Sequence, residues 1–516
     1  MWRDLAIGLS LANLCYLRIW SELLTYRRDD LYFMLHPPAP PSYAAVISNV
    51  LLLGAALGFG AHWVRTRGSE RSMTWIRRAF LLLLALPLNA LRSVLGSRVP
   101  QLFFLRSPLF EIIGQRGVVL LAIGVAVAGL VLIAFWYKRL SHWAAVVLVA
   151  LFPFVPVTVF QAGWRIANYD ASGMQAKPPA VPPTERAAGR LLWVVFDEWD
   201  QRLTFVDRDS TLQLPELDRF RAEALYAANV YPPGAETLFS MSAYVTGRVV
   251  SHAVVDGPNE LLVNYGDGEQ RARWSAQPNV FQHAQKLGFR TELAGWYHPY
   301  CRVIGSSINA CDWREMAMQH NSMGDTFTEL LPNQTRSLFE TTLFSVFGQS
   351  LAGRHQVRAY QDLFSQSLRA AGDREIGFAL LHLPIPHAPH VYDMTTGTFT
   401  KRNSPIRAYL DSLALTDRSV GELRRALEAS GLWDSTTILL TSDHAYREAS
   451  EVDGKSDKRV PFLLKLAGQR GGLEFSGTFN AVLAHDLVLA ILRREVTTAD
   501  AASVWLESRR ATVAVP

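Results

Sequence analysis

Residues 190–200 read RLLWVVFDEWD, and residues 435–444 read STTILLTSDH. Each is a short run of apolar and β-branched residues that closes on acids, with an imidazole added in the second. Runs of this length and composition read as buried strands. Outward from these two, helical spacing recurs in PELDRFRAEAL (215–225), NVFQHAQKLGF (279–289), SPIRAYLDSLALTDRSVGELRRALEASGLW (404–433) and FNAVLAHDLVLAILRRE (479–495). Strand-like runs lie between them: RTELAGWY (290–297), REIGFALLHL (374–383) and RVPFLLKLAG (459–468). Strands alternating with helices predict an α/β domain with a largely parallel central sheet. Ligands bind such sheets beyond the carboxyl ends of the strands, which is where Asp197, Glu198, Asp443 and His444 fall.

The first third of the chain is different. Of the 516 residues, 49% are hydrophobic and 19% charged, and the apolar runs crowd before residue 165. Five segments near the ~20 residues needed to cross a bilayer can be drawn, at about 4–24, 43–64, 79–96, 117–137 and 142–162. The second and fourth are the most apolar. The first carries Arg18 and Glu22, and the third Pro87, Asn89 and Arg92, which ordinary helix-to-helix packing accommodates. The first lacks a small-residue cleavage site and is not read as a signal peptide. Arg65, Arg67, Arg71, Arg77 and Arg78 after the second segment, and Lys138 and Arg139 after the fourth, mark cytoplasmic loops. A fifth crossing then delivers the remainder to the outer side of the membrane. LFFLRSPLFEII (102–113) reads as an interfacial element. The expected division is a transmembrane domain at 1–165, an Ala/Pro-rich linker at 166–189 and the α/β domain at 190–516. The net charge of +5 reads as membrane topology. No basic block with interleaved aromatics supports a nucleic-acid partner.

Of three cysteines, Cys15 lies in an apolar segment, while Cys301 and Cys311 bound the loop-like CRVIGSSINAC. An oxidising compartment would pair these two; elsewhere they would be free thiols.

Between the two acid-ended strands lies GAETLFSMSAYVTG (234–247). Taken in order with Asp197 and the Asp443–His444 pair, it resembles the alkaline phosphatase superfamily. It is most similar to the sulfatase-like membrane branch of phosphoethanolamine and phosphoglycerol transferases, over about residues 190–495. In sulfatases a Gly follows the nucleophile by ten residues. Gly247 stands ten after Thr237, so the resemblance implies Thr237 as nucleophile rather than Ser240 or Ser242. It implies Asp197, Thr237, Asp443 and His444 as metal ligands, for one divalent metal, Zn or Mn. LHLPIPHAPHVYD (381–393) resembles the family's substrate-side His-x-Pro segment, which places His387 near the transferred group, with His390 beside it. Each residue alone has an ordinary reading: a strand-end Asp or a Thr as turn or cap, a His as surface or packing residue. Their joint order carries the chemistry. A threonine hydroxyl is a weak nucleophile until a nearby cation favours its ionised form.

Departures from the family matter. Neither Cys nor Pro-Ser-Arg occurs at the nucleophile, which disfavours a formylglycine sulfatase. The interval AYREASEVDGKSDKRVPF (445–462) holds no His where related transferases often place one, so Lys455, Lys458 or Arg459 is a candidate anion binder, against a solvated basic turn. Glu198 is a candidate second acid or additional ligand. His298 reads as a loop anchor and His485 as a packed helix residue. The implied function is transfer of a phospho-alcohol from a membrane phospholipid donor to an envelope or lipid-linked glycan. The alternatives are a membrane-anchored sulfatase-like hydrolase or phosphodiesterase using water, and a catalytically dead envelope-assembly module.

Overall fold

The computed structural model describes all residues except 99–105, 186, 267–270, 317–322, 341–349, 401–404 and 516. They form two compact units. One comprises Met1–Tyr26, Pro37–Asp170 and Met318–Leu351; the other comprises Arg27–His36, Ala171–Ala317 and Ala352–Pro516. The division therefore does not fall only in the linker. A ten-residue piece of the N-terminal region belongs to the α/β unit, and a later stretch containing the helix Phe327–Glu340 belongs to the helical one.

In the helical unit, three helical stretches among the described residues are long and apolar enough to cross a membrane: Pro40–Arg67, Glu70–Leu95 and Ile123–Ala167. This differs from the five segments drawn above in two places. Segment 4–24 is two helices, Trp2–Cys15 and Leu17–Leu24, broken at Tyr16. Segments 117–137 and 142–162 are not separated by a loop at Lys138–Arg139, because Arg106–Leu151 is one helix and Phe154–Ala167 follows it. Lys and Arg are good helix formers, and neither Gly nor Pro occurs from 130 to 152, so nothing breaks the helix before Pro153. Of the 102–113 stretch, residues 102–105 lie outside the described residues and the rest opens this helix. Polar residues inside the apolar segments pair locally: Arg18 Nε lies 3.4 Å from Glu22 Oε1, and Arg92 Nη2 donates to Asn89 Oδ1 at 2.9 Å. Helices Trp2–Cys15 and Pro40–Arg67 approach so closely that a Cβ on Gly8 would stand 2.3 Å from the Gly54 carbonyl oxygen. Small residues permit such contacts between apolar helices.

The α/β unit is built on an eight-stranded sheet. In chain order its strands are β1 (Leu191–Asp197), β2 (Leu225–Ala227), β3 (Thr291–Trp296), β4 (Ala310–Arg314), β5 (Phe378–Pro386), β6 (Thr437–Ser442), β7 (Phe462–Lys465) and β8 (Leu473–Phe475). Their spatial order is β8-β2-β7-β6-β1-β5-β3-β4. Neighbours are parallel except where β7 meets β6 and β2. Side chains of β1 alternate between two buried clusters: Leu191, Trp193 and Val195 on one face, Leu192, Val194 and Phe196 on the other. The helix Leu483–Leu492 packs into the first cluster and Pro405–Ala429 into the second. Helices covering both faces explain why β1, β5 and β6 read as continuous apolar runs.

Candidate active site

The parallel pairing of β1 with β6 aligns Phe196 with Ser442. The residue after each emerges at the same sheet edge: Asp197 and Asp443, both fully buried. Ser442 fastens the junction, its hydroxyl lying 2.7 Å from the Phe196 carbonyl and accepting the Trp199 amide at 2.8 Å. Glu198 follows Asp197 with φ 63°, a left-handed conformation unfavourable for a side-chain-bearing residue. It is held there from both sides. Its amide donates to Asp443 Oδ1 at 3.2 Å, and its carbonyl accepts from Tyr409 Oη at 2.8 Å.

Thr237 opens the helix Thr237–Thr246. Tyr244, one face of that helix, donates to the Ser442 carbonyl at 2.8 Å and so binds the helix to the end of β6. Gly247 ends the helix at φ 71°, and a Cβ there would stand 2.4 Å from His485 Nδ1. Both the backbone conformation and the space therefore require glycine ten residues after Thr237.

These elements converge on one point. Thr237 Oγ1 lies 2.7 Å from Asp443 Oδ2, 3.3 Å from Asp197 Oδ2 and 3.5 Å from His444 Nε2. His444 Nε2 is in turn 3.6 Å from Asp197 Oδ1 and 3.5 Å from Asp443 Oδ2. Asp197, Asp443 and His444 offer ligand atoms all within 4.8 Å of one another.

Two observations test whether this set fits a divalent cation. First, His444 Nδ1 faces the Ala445 carbonyl at 3.0 Å. The hydrogen of a neutral ring therefore sits on Nδ1, and Nε2 turns a lone pair toward two carboxylates and a hydroxyl. Second, Asp197 Oδ1 is buried with no hydrogen-bond partner among the described residues. Buried lone pairs converging without a donor are what a cation resolves, and the residues fit one. The electrostatics agree. Burial, then the facing charges of Asp443 and Glu198, push Asp197 well above the ordinary carboxylate range. Burial would raise Asp443 too, but the His444 and His382 imidazoles and the Thr237 hydroxyl outweigh it and hold Asp443 low.

The other residues singled out in the sequence divide. Glu198 is not part of the ligand group, since its Oε1 takes a hydrogen bond from Arg447 Nε at 2.6 Å. His387 is at the site edge. Its Nδ1 faces the Ala388 carbonyl, and its Nε2 accepts from Arg447 Nη2 at 3.1 Å; desolvation lowers its pKa. His390 is held by Ser412 Oγ at 3.3 Å and by edge contacts with Tyr409 and Tyr446, and burial pushes it down to about 4. Lys455 does not reach the site: it is exposed and pairs with Asp207 at 3.0 Å. Lys458 is exposed, and Arg459 pairs with Asp457 at 2.6 Å. Lys455 and Arg459 are thus paired with local acids, and the guanidinium beside Glu198 and His387 is Arg447, three residues after His444. His485 packs against Gly247 and pairs with Asp486 at 2.9 Å. Cys301 and Cys311 are joined in a disulfide, and Cys15 is a buried free thiol.

Two further buried imidazoles lie close to Thr237 and its neighbours. His382, on β5, is fully buried and pushed down to about 4 by desolvation; Tyr300 Oη lies 3.2 Å from its Nδ1. Its place inside an apolar strand hid it in the sequence. His298 is fully buried, pushed down to about 3 by desolvation, and its Nε2 lies 3.2 Å from the Thr237 carbonyl oxygen.

A search of the curated proteins finds no match. Among solved structures, the chain is similar to Ps i-CgsB in complex with k-i-k-neocarrahexaose, at 14% identity and TM-score 0.43, covering 63% of this chain and 77% of that one. It is similar to an alkaline phosphatase superfamily protein from Vibrio parahaemolyticus, at 13% identity and TM-score 0.39, covering 60% and 68%. It is also similar to the phosphonate monoester hydrolase of Agrobacterium radiobacter, at 13% identity and TM-score 0.38, covering 59% and 74%. The sulfatase family model matches residues 191–478, more than half of the sequence and the whole stretch from β1 past the Asp443–His444 pair. On that match, the chain belongs to the sulfatase family, within the alkaline phosphatase superfamily of enzymes.

Proposed function

We propose that this protein transfers a phospho-alcohol group, phosphoglycerol or phosphoethanolamine, from a membrane phospholipid to an envelope or lipid-linked glycan, through a phospho-Thr237 intermediate on the periplasmic side of a bacterial inner membrane. One observation carries the reading. A threonine hydroxyl, where sulfatases use a cysteine-derived group, lies within 3.5 Å of two buried carboxylates and an imidazole, in a chain with three apolar helical stretches of membrane-spanning length. The Cys301–Cys311 disulfide supports an oxidising compartment for this unit.

A divalent cation, Zn or Mn by the donor set, would supply positive charge that favours the ionised Thr237 oxygen and offsets charge on the phosphoryl oxygens. The chain's own residues do the rest. Thr237 Oγ1 directs its hydrogen to Asp443 Oδ2, which orients an oxygen lone pair for attack on phosphorus. The new Thr237–phosphorus bond replaces the bond from phosphorus to the diacylglycerol oxygen. That oxygen leaves with a proton, balancing the one Thr237 gives up. The acceptor hydroxyl then reverses the exchange, and Thr237 regains its proton. Arg447 would bind the anionic ester at the rim, its guanidinium oriented by Glu198, which accepts from Nε, and by His387, which accepts from Nη2. Membership in the sulfatase family favours a second reading, in which water is the acceptor and the protein is a hydrolase or phosphodiesterase.

Full-length protein incubated with head-group-labelled phospholipid is expected to release diacylglycerol and to carry label on Thr237. No release above a Thr237→Ala control refutes the transferase. Turnover of a soluble nitrophenyl phosphodiester, with no transfer from phospholipid, selects the hydrolase.

A further inference from the structure

The segment Arg27–His36 lies between two apolar segments in sequence, yet it belongs to the α/β unit. At its centre Tyr32 is fully buried, and its hydroxyl lies 2.8 Å from His298 Nδ1. The other ring nitrogen, Nε2, lies 3.2 Å from the backbone carbonyl of Thr237. A ten-residue stretch of the N-terminal region is thus two hydrogen bonds from the nucleophile. We infer that Tyr32 is a positioning residue for Thr237, acting through the orientation of the His298 ring.

The hydrogen inventory gives the direction of each bond. The Thr237 carbonyl can only accept, so His298 Nε2 must carry a hydrogen. The His298 ring is fully buried and, among the described residues, hydrogen-bonds to no carboxylate, so it stays neutral and Nδ1 holds a lone pair. The Tyr32 hydroxyl must then donate to Nδ1. Remove that hydroxyl, and the Nδ1 lone pair is left buried without its donor. The ring relieves that cost by tilting, which loosens the hydrogen bond from Nε2 to the Thr237 carbonyl. Thr237 is the first residue of its helix, following Glu236 at φ −144° and ψ 152°. The chain reverses from extended to helical at that carbonyl, and a shift there carries Oγ1 away from Asp443.

The segment is itself held firmly. The Arg302 guanidinium, almost fully buried, donates to the carbonyls of Met34 at 2.8 Å, Leu31 at 3.0 Å and Tyr32 at 2.8 Å. Glu315 accepts the Leu35 amide. Arg302 follows Cys301, which the disulfide ties to Cys311 on β4. Tyr32 packs edge-on to His298 with ring centroids 5.9 Å apart, and the Trp274 ring packs tilted against His298 at 5.0 Å. A hydroxyl held this way fixes the orientation of the His298 ring, whereas a loop anchor would need only the packing.

This inference rests on the reading of Thr237 as nucleophile, and the test separates the two. In the full chain, four variants are compared: Tyr32→Phe, His298→Gln, His298→Asn and Thr237→Ala. The readouts are Mn2+ affinity by calorimetry and kcat and KM for bis(4-nitrophenyl) phosphate. Tyr32→Phe keeps the packed ring and loses only the hydroxyl. It is expected to lower kcat about 10-fold with KM within about twofold, and to weaken Mn2+ binding about threefold, since small misplacement of a reacting group is costly. His298→Gln places an amide near the position of Nε2 and keeps a donor for the Thr237 carbonyl. It should retain more kcat than His298→Asn, whose amide reaches only the position of Nδ1. Wild-type kcat and Mn2+ affinity in Tyr32→Phe, with Thr237→Ala inactive, would overturn the role of Tyr32 alone. Full turnover by Thr237→Ala would instead refute the nucleophile on which the inference stands.

Discussion

Replacing Asp197 by Asn should remove most of the stabilisation that a divalent cation gives the folded chain. Asp197 and Asp443 are fully buried and offer oxygens within 4.8 Å of one another. Two full charges at that separation repel by about 3 kcal/mol at an effective dielectric of ~20. Protonation of Asp197, whose pKa lies well above the ordinary range, caps that cost. In chelator, Asp197→Asn therefore removes up to about 3 kcal/mol of repulsion and should unfold no earlier than wild type. A cation that binds only the folded state adds about 2.7 kcal/mol at a hundredfold excess over its Kd. At about 2 °C per kcal/mol for a unit of this size, wild type should gain about 5 °C on addition of Mn2+ or Zn2+. The variant lacks one of the two carboxylates and should gain little. The assay is thermal unfolding of the full chain followed by tryptophan fluorescence, with chelator and then with cation. An equal gain in both proteins would refute the assignment of Asp197. No gain in wild type would refute the cation site.

Three further predictions concern the frame around the site. Burial raises Asp417 to about 7, against hydrogen bonds that include the Leu217 amide at 2.8 Å; the folded state holds its proton where the unfolded state has lost it, so this stabilisation is present at low pH and fades as pH rises from about 4 to about 7. Asp417→Asn should flatten that slope, gaining roughly 3 kcal/mol on wild type at pH 8 relative to pH 4, read from denaturant melts; an unchanged slope contradicts it. Gly247→Ala should destabilise by more than about 1 kcal/mol from its φ of 71° and the His485 contact, and His485→Ala in the same chain should recover part of the loss; full stability of the single variant contradicts this. Cys301→Ser with Cys311→Ser opens a loop with sequence separation 10 and should cost about 2–3 kcal/mol of stability, with faster hydrogen exchange across 28–36 because Arg302 is less firmly placed; unchanged exchange there would separate the disulfide from the clamp.

The apolar runs of β1, β5 and β6 were legible because sheets covered on both faces write hydrophobicity directly into sequence. Asp197, Asp443 and His444 were legible as the polar residues that end such runs, and Thr237 through the resemblance of its ten-residue distance from Gly247 to the sulfatase spacing. That spacing turns out to be the length of a helix that must finish in a left-handed residue. The antiparallel direction of β7 was not legible, because four apolar residues carry no mark of direction. Arg447 was passed over for Lys455 and Lys458, because only the fold shows that Arg447 stands beside His387 and Glu198 while Lys455 turns to Asp207. Tyr32 was out of reach of local pattern altogether, since its partner His298 lies 266 residues away and its neighbours in sequence are apolar segments. The continuous helix Arg106–Leu151 was missed because a Lys-Arg pair is both a topology signal and a good helical dipeptide.

The central claim is a single cation among four named side chains. Anomalous scattering from crystals of the full chain grown with Mn2+ tests it most directly. The account predicts one peak about 2.0–2.3 Å from Thr237 Oγ1, His444 Nε2 and an oxygen of each of Asp197 and Asp443. A manganese peak elsewhere, with these four side chains as close together as they are here and nothing between them, would contradict it.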